Sequence, residues 1–229
     1  MKTNKLNKTF VVIIPARGGS ERLPKKNVLP LKNKPLIEYS IDFAKSNLDY
    51  VEKIVVTTDD QEIKRIALKN NVQVIDRPKE ISGNKASTVS ALKHALLTLN
   101  ETYDFVILLQ PTNPLRPKNL LKSACDKIIE EGADSLITVT KNHHKLGKIV
   151  NNTYEPFLYN MGQRSQDLEP LYYENGLLYI TKRELILDDK IISNNNIPVI
   201  VDHAFANVDI DTMDDFKLAE FTLEQQKDE

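Results

Sequence analysis

The chain has 229 residues, 41% of them hydrophobic and 28% charged, with a formal net charge of -1. That balance describes one folded domain with a core of its own. It excludes disorder, and it excludes a general binder of nucleic acid or of membrane surfaces, because either would call for a basic excess. The single cysteine, Cys125, excludes an internal disulfide framework, and no apolar stretch approaches the length of a membrane span, so a cytoplasmic setting is expected.

The basic residues of MKTNKLNKTF precede an apolar run that soon meets Pro15 and Arg17, too short a run for a signal peptide. Residues 11–14 read as a strand, and PARGGSERLPKKN follows directly, with paired glycines among Arg17, Arg22, Lys25 and Lys26. Apolar spacing predicts a helix over 36–45 and a strand over 53–58 that exits at Thr57-Thr58-Asp59-Asp60. A helix over 62–69, a strand over 72–75, a helix over 89–99 and a strand over 105–109 come next, the last exiting at Gln110-Pro111-Thr112. In the helix predicted over 120–130, Leu121, Ala124, Cys125, Ile128 and Ile129 share a face, which makes Cys125 a packed core thiol rather than a nucleophile. A strand over 135–140 precedes residues 141–173, where period is lost among aromatic, basic and proline residues, as expected of a functional insertion and a dimer contact. Alternation resumes at 177–180 and 197–201, and a closing helix is predicted over 214–225.

Continuous apolar strands alternating with helices imply a mainly parallel sheet covered on both faces, in one domain spanning 1–229. Ligands of such sheets bind beyond the carboxyl ends of the strands. Three polar strand exits therefore share a rim, and the glycine loop is the most telling of them. Gly18 and Gly19 would let the backbone approach an anion, Ser20 would donate a hydroxyl, and the basic side chains would supply charge. The alternative is a solvated basic turn. No Gly-Lys-Ser or Gly-Lys-Thr makes it a Walker loop, and adjacent glycines do not fit the dinucleotide spacing. His143 and His144, side by side in a polar loop, read as solvated.

NVDIDTMDDF is the second constellation. In an extended segment Asp209 and Asp211 point to one face and Ile210 to the other, and paired carboxylates repel unless a cation lies between them. Hard oxygens suit Mg²⁺ shared with a phosphate. Spacing alone also allows Asp211 to be merely the cap of the following helix.

The run IIPARGGSERLPKKNVLPLKNKPLIEYSI, the segments RPKEISGNKAST, LLQPTNPLR and ENGLLYI, and the ending VDIDTMDDFKLAE together resemble the acylneuraminate cytidylyltransferases, over nearly the whole chain and in the same order. The resemblance implies a Rossmann-like three-layer nucleotidyltransferase fold, usually a homodimer. It also implies transfer of CMP from CTP to a nine-carbon 2-keto sugar acid with release of pyrophosphate, using Mg²⁺. On that resemblance Arg17, Ser20, Lys26 and Asn27 handle the nucleotide phosphates, Arg77, Ala86 and Ser87 meet cytidine and ribose, and Gln110 contacts the sugar acid. Asp209 and Asp211 match the metal pair, and Asn175 belongs to the Asn-Gly segment of the sugar side. Arg164, in the insertion over 141–173, falls near an arginine that meets the sugar carboxylate, often across a dimer interface, and Lys148 matches a neighbouring lysine. Glu21 stands where basic residues are frequent, and Leu177-Leu178 stand where smaller ones often follow Asn-Gly, which predicts an altered sugar-pocket volume. Arg17, Lys26 and Asp211 are the expected catalytic set, with Asp209, Asp211 and metal-bound hydroxide all open as base. Asn-Gly after Glu174 favours N-acetylneuraminate or legionaminate over pseudaminate. The D-x-D pair also fits a nucleotide-sugar-dependent glycosyltransferase, though near the wrong end of the chain, and a non-catalytic nucleotide-binding regulator would need the anion loop alone.

Overall fold

In the computed structural model, which describes residues 8–225, the carboxyl ends of the central strands are where the polar loops gather. Part of the basic amino-terminal stretch therefore lies outside the described residues. β1 (Phe10–Pro15) is an inner strand of a seven-stranded sheet. It pairs in parallel with β4 (Lys53–Thr58) on one side and β6 (Phe105–Leu108) on the other. Two short strands, β2 (Pro30–Leu31) and β3 (Lys34–Pro35), form a hairpin between β1 and helix α1 (Leu36–Lys45). Helix α2 (Gln61–Lys69) leads from β4 to β5 (Gln73–Asp76), the parallel edge strand. Helix α3 (Thr88–Leu99) precedes β6, and α4 (Leu120–Glu130) leads to β7 (Ser135–Asn142).

The insertion is more ordered than its sequence suggests. β7 runs on to Asn142, β8 (Gly147–Val150) and β9 (Thr153–Pro156) make a separate hairpin, and β10 (Leu171–Lys182) starts inside the predicted irregular stretch. Period is hard to see there because both strands of the hairpin are exposed on both faces, so alternation has no core to record. β10 is antiparallel to both β6 and β7, with a register shift between Glu174 and Tyr179. The short helix α5 (Arg183–Leu187) leads to β11 (Asn196–Ile200), which lies parallel to β7, and α6 (Met213–Gln225) closes the described chain. The order β11-β7-β10-β6-β1-β4-β5 is thus parallel except for β10.

The alternation along β1 divides the core. Phe10, Val12 and Ile14 face α1, α2 and α4, meeting Ile37, Ile41, Ile63 and Leu121. Val11 and Ile13 face α3, meeting Leu92 and Leu96. Both faces are dry, as the uninterrupted apolar strands predict. Cys125 is wholly buried in the first of these layers, and burial raises its thiol pKa, so it stays an unreactive core group. Leu177 and Leu178 are also wholly buried in that layer, which corrects the expectation that they set a pocket volume. A third cluster, Leu23, Leu31, Leu36, Leu115, Val208, Ile210, Phe216 and Ala219, joins the glycine loop to the acid-bearing segment and α6.

Gly176 sits in the irregular part of β10 with φ of 72°, and an added Cβ would fall 2.7 Å from Oδ1 of Asn113. Gly176→Ala should therefore cost about 1–2 kcal/mol for the left-handed backbone, plus a displacement of Asn113, read as a lower urea midpoint at unchanged slope.

Candidate active site

A cleft of about 250 Å³ opens at the carboxyl ends of β1, β5 and β6, lined among others by Arg17, Ser20, Lys26, Asn27, Arg77, Ala86, Gln110 and Asp211. Residues predicted from separate stretches are thereby brought to one place.

The glycine loop is held by its own residues. Lys25 takes a left-handed backbone with φ of 56°, which starts a 3-10 turn over Lys26–Val28. Asn27 donates from Nδ2 to the Arg17 carbonyl at 3.0 Å, closing the loop on itself. The Gly18 amide donates to Asp59 Oδ1 at 3.0 Å, and a Cβ at this position would lie 2.8 Å from Asp60 Oδ2. Gly18 is thus required by the approach of Asp60, which caps α2 by accepting from the amides of Glu62 and Ile63. Nothing lies close to a Cβ on Gly19. Lys25 turns away from the cleft, its Nζ 3.4 Å from Glu62, while Arg17 donates to the Gly83 carbonyl at 2.8 Å. Glu21 is hydrogen-bonded by Asn84 from the facing segment, so the basic-to-acidic departure at this position ties the two nucleotide-side loops together.

Among the described residues, Lys26 and Arg77 are the two buried cations lining the cleft. The Lys26 side chain is 10% exposed, and Nζ donates to the Ile210 carbonyl and to Asp211 Oδ1, both at 2.8 Å. Arg22 pairs with the other carboxylate oxygen of Asp211. Burial works against ionisation of Asp211, but the hydrogen bond and charge of Lys26, with Arg22, outweigh it and hold the carboxyl below its ordinary range. Asp209 goes the other way: burial and then the neighbouring Asp211 charge raise it, against the opposing effects of a Thr112 hydrogen bond and of Lys26. The question of helix capping resolves in the same segment. Thr212 accepts from the Asp215 amide, and Asp215 accepts from the amides of Asp211 and Thr212, a reciprocal cap that leaves the Asp211 side chain free for Lys26.

Among the described residues no group of three or more His, Cys, Asp or Glu side chains surrounds a metal position, so a divalent ion here would have to share its shell with ligand oxygens. The donor set fits that demand. Asp209 and Asp211 are hard carboxylates on one extended segment, and burial followed by the neighbouring Asp211 charge disfavours ionised Asp209 in the absence of a further cation.

Arg77 is buried, donates from Nε to the Ile81 carbonyl at 2.7 Å, and has its basicity lowered by burial, with Asp59 opposing and Arg17 adding to the effect. Ala86 lines the cleft, whereas Ser87 caps α3 by accepting from the Ser90 amide at 3.3 Å. Asn175 is buried with its amide committed to structure: it donates to Thr140 Oγ1 at 3.0 Å and accepts from the Leu177 amide. Arg164 and Lys148 lie on the insertion away from this cleft, Arg164 paired with Asp167 at 2.8 Å and Lys148 over the Phe157 ring. Pro111 and Thr112, read from the sequence as part of the polar exit of β6, line the cleft, and so do Asn84 and Thr88, which were not singled out. The signal of these last two was position: each is within two residues of an assigned one, in SGNKAST.

A family model described as cytidylyltransferase matches residues 11–228. The chain belongs to the cytidylyltransferase family. Membership makes it a nucleotidyltransferase and sets aside both the glycosyltransferase and the non-catalytic regulator. It is 35% identical to pseudaminic acid cytidylyltransferase of Campylobacter jejuni serotype O:23/36 over 216 residues, 90% of this chain and 93% of the relative. It is 32% identical to N-acylneuraminate cytidylyltransferase of Streptococcus agalactiae serotype III, over 90% of this chain but 51% of that longer relative. In fold it matches a CMP:2-keto-3-deoxy-manno-octonic acid synthetase solved in complex with CTP, with a TM-score of 0.72 at 16% identity over 95% of this chain and 99% of the other.

The lowered pKa of Asp211 has a stability consequence with a definite sign. A depressed carboxylate stabilises the fold above its unfolded pKa, about 3.9, and that contribution is lost as pH falls through the lower folded value. Asp211→Asn should melt below the wild type at pH 7, and the two melting curves should converge as pH drops below about 4.

Proposed function

We propose that the protein transfers CMP from CTP to the anomeric hydroxyl of a nine-carbon 2-keto sugar acid of the N-acetylneuraminate or legionaminate type, releasing pyrophosphate. The observation that carries this reading is the joining of Lys26 to Asp211 in a cleft that also holds Arg17, Ser20, Asn27, Arg77 and Gln110, in a chain whose relatives are named for such acids. The anomeric oxygen attacks the α-phosphorus, the bond from that phosphorus to the bridging oxygen of the β-phosphate breaks, and charge grows on the non-bridging oxygens and on the departing pyrophosphate.

Arg17 and Lys26 would hold the triphosphate and neutralise that charge, and Ser20 and Asn27 would bind phosphate oxygens through neutral hydrogen bonds. Arg77 and Ala86 would bound the nucleoside, and Gln110 would face the sugar acid. Mg²⁺ would be held by Asp209 and Asp211 and, when bound, would supply charge neutralisation across the phosphate oxygens. Asp209, Asp211 or a metal-bound hydroxide would take the anomeric proton. A cytoplasmic setting is supported by the need for CTP and by a cysteine kept as a buried thiol.

Pseudaminate is the second reading, favoured by a specific observation: the Campylobacter jejuni relative named for it is matched over 93% of its length, whereas the N-acylneuraminate relative carries about as much chain again. Pyrophosphate release from CTP and Mg²⁺ with N-acetylneuraminate, legionaminate and pseudaminate separates the two. Turnover with one of the first two supports the leading reading, turnover with pseudaminate alone selects the second, and no acid-dependent release rejects both. Lys26→Ala and Asp211→Ala should each lower turnover by about two to three powers of ten in folded protein.

The protein is also proposed to act as a homodimer through the insertion. Leu146, Tyr154, Phe157, Leu158, Ile149 and Met161 are all exposed there, the last two at 71% and 74%, a concentration of apolar surface that a single chain rarely leaves in water. Light scattering should give twice the chain mass, and the double change Ile149→Glu with Met161→Glu should give the single-chain mass.

A further inference from the structure

The loop from Gln110 to Arg116 contains a buried cation that the chemistry above does not use. Arg116 is 6% exposed, and among the described residues no carboxylate pairs with it. Burial without such a partner pulls its basicity down to about 9, and the guanidinium still carries its charge at neutral pH. Replacing a buried charge by an apolar side chain of similar volume is often neutral or favourable to a fold, so a lone buried arginine calls for an explanation beyond packing.

Its hydrogen bonds suggest one. Nη2 donates to the Gln110 carbonyl at 2.8 Å, Nε to the Leu177 carbonyl at 2.6 Å, and Nη1 to Ser40 Oγ at 3.0 Å. These acceptors belong to three different places: the exit of β6, the irregular stretch of β10 within its register shift, and helix α1. The Phe43 ring, 5.5 Å from Cζ, covers the guanidinium. Pro111, Pro114 and Pro117 stiffen the loop by fixing φ, so that the fork and the Gln110 main chain move as one. Nearby, Asn113 donates from Nδ2 to the carbonyls of Asn175 and Val208, and the Thr112 carbonyl accepts from the Ile210 amide at 2.8 Å. Asn113 and Thr112 therefore brace the middle of the loop against β10 and the acid-bearing segment, while the main chain of Gln110 is braced against β10 and α1 through Arg116.

We propose that Arg116 is a positioning residue for the sugar-acid subsite: its fork fixes the Gln110 main chain against β10, and through it the angle at which the Gln110 side chain enters the cleft. This rests on the reading of Gln110 as the sugar-acid contact of a CMP transferase. Arginine suits the task because its rigid fork reaches three acceptors at once, whereas lysine offers a point charge that cannot span them. The role is selective, since none of the three acceptors belongs to the glycine loop or to the acid pair.

The test uses the full chain with Arg116→Met and Arg116→Lys. Pyrophosphate release should show KM for the sugar acid raised about 10- to 100-fold in both, the scale expected when a contact is misplaced by an ångström. CTP affinity, measured by calorimetry without acid, should stay within about twofold of the wild type, a split that general destabilisation would not produce. Crystal structures of the variants should show the Gln110 carbonyl displaced with the contact between Lys26 and Asp211 intact. An unchanged KM for the acid, equal losses toward CTP and acid, or an unmoved Gln110 would each overturn the role. Should Arg116→Met fail to fold, Arg116→Lys, which keeps the charge, carries the same measurements. A wild type that releases no pyrophosphate with any acid would instead sink the functional reading itself, an outcome distinct from active wild type beside unaffected variants.

Discussion

The contact between Lys26 and Asp211 holds the site together. It joins two positions separated by 185 residues, one on a loop that leaves the first strand and the other just before the last helix. The third apolar cluster makes this contact possible: Leu23 and Leu31 from the loop side pack with Ile210 and Phe216 from the acid side. Buried apolar area of this kind supplies most of the stabilisation, and the ion pair then sets register. The pair is therefore less a source of stability than a gauge, fixing how far the anion loop lies from the acids.

The cations of the cleft are already engaged. Arg17 binds the Gly83 carbonyl, Lys26 the Ile210 carbonyl and Asp211, and the Gly18 amide binds Asp59. Each of these acceptors is one that a phosphate oxygen could replace. A site built in this way avoids leaving buried donors unsatisfied before substrate arrives, and it can exchange protein acceptors for ligand acceptors without opening the core. Lys25 and Arg22 show how the same loop sorts its charges. Lys25 is drawn outward to Glu62 by its left-handed backbone, and Arg22 is drawn to Asp211.

What the sequence disclosed follows from which contacts are local. The strands β1, β4 and β6 were legible because burial on both faces leaves runs such as FVVII and KIVV with no competing period. Helices α1 and α4 were legible from spacing, and the boundaries of α1 are those predicted. β10 was only half legible: Leu177 to Ile180 are buried and read as strand, but Tyr172 to Glu174 are exposed and do not. The hairpin of β8 and β9 did leave a trace, since Asn151 and Asn152 both take positive φ and Asn is favoured there. The roles of Asn113, Arg116 and Asp59 could not be read at all, because each depends on a partner at least 40 residues away, as with Asp59 and Gly18 at 41.

The two acids show how far spacing alone can mislead about equivalence. Asp209 and Asp211 occupy alternate positions of one extended segment, and a pattern reading treats them as a symmetric pair. Their surroundings separate them. Lys26 and Arg22 converge on Asp211 and favour its charged form, whereas Asp209, facing that same charge with a threonine hydroxyl as its direct partner, gains affinity for a proton. Titratable groups whose environments push their pKa values apart are suited to different tasks. The asymmetry has two sources: burial, which raises Asp209 first of all, and the opening loop, since the cations that hold Asp211 arrive from residues 22 and 26. Moving the glycine loop would therefore change the proton affinities at the far end of the chain without touching either carboxylate.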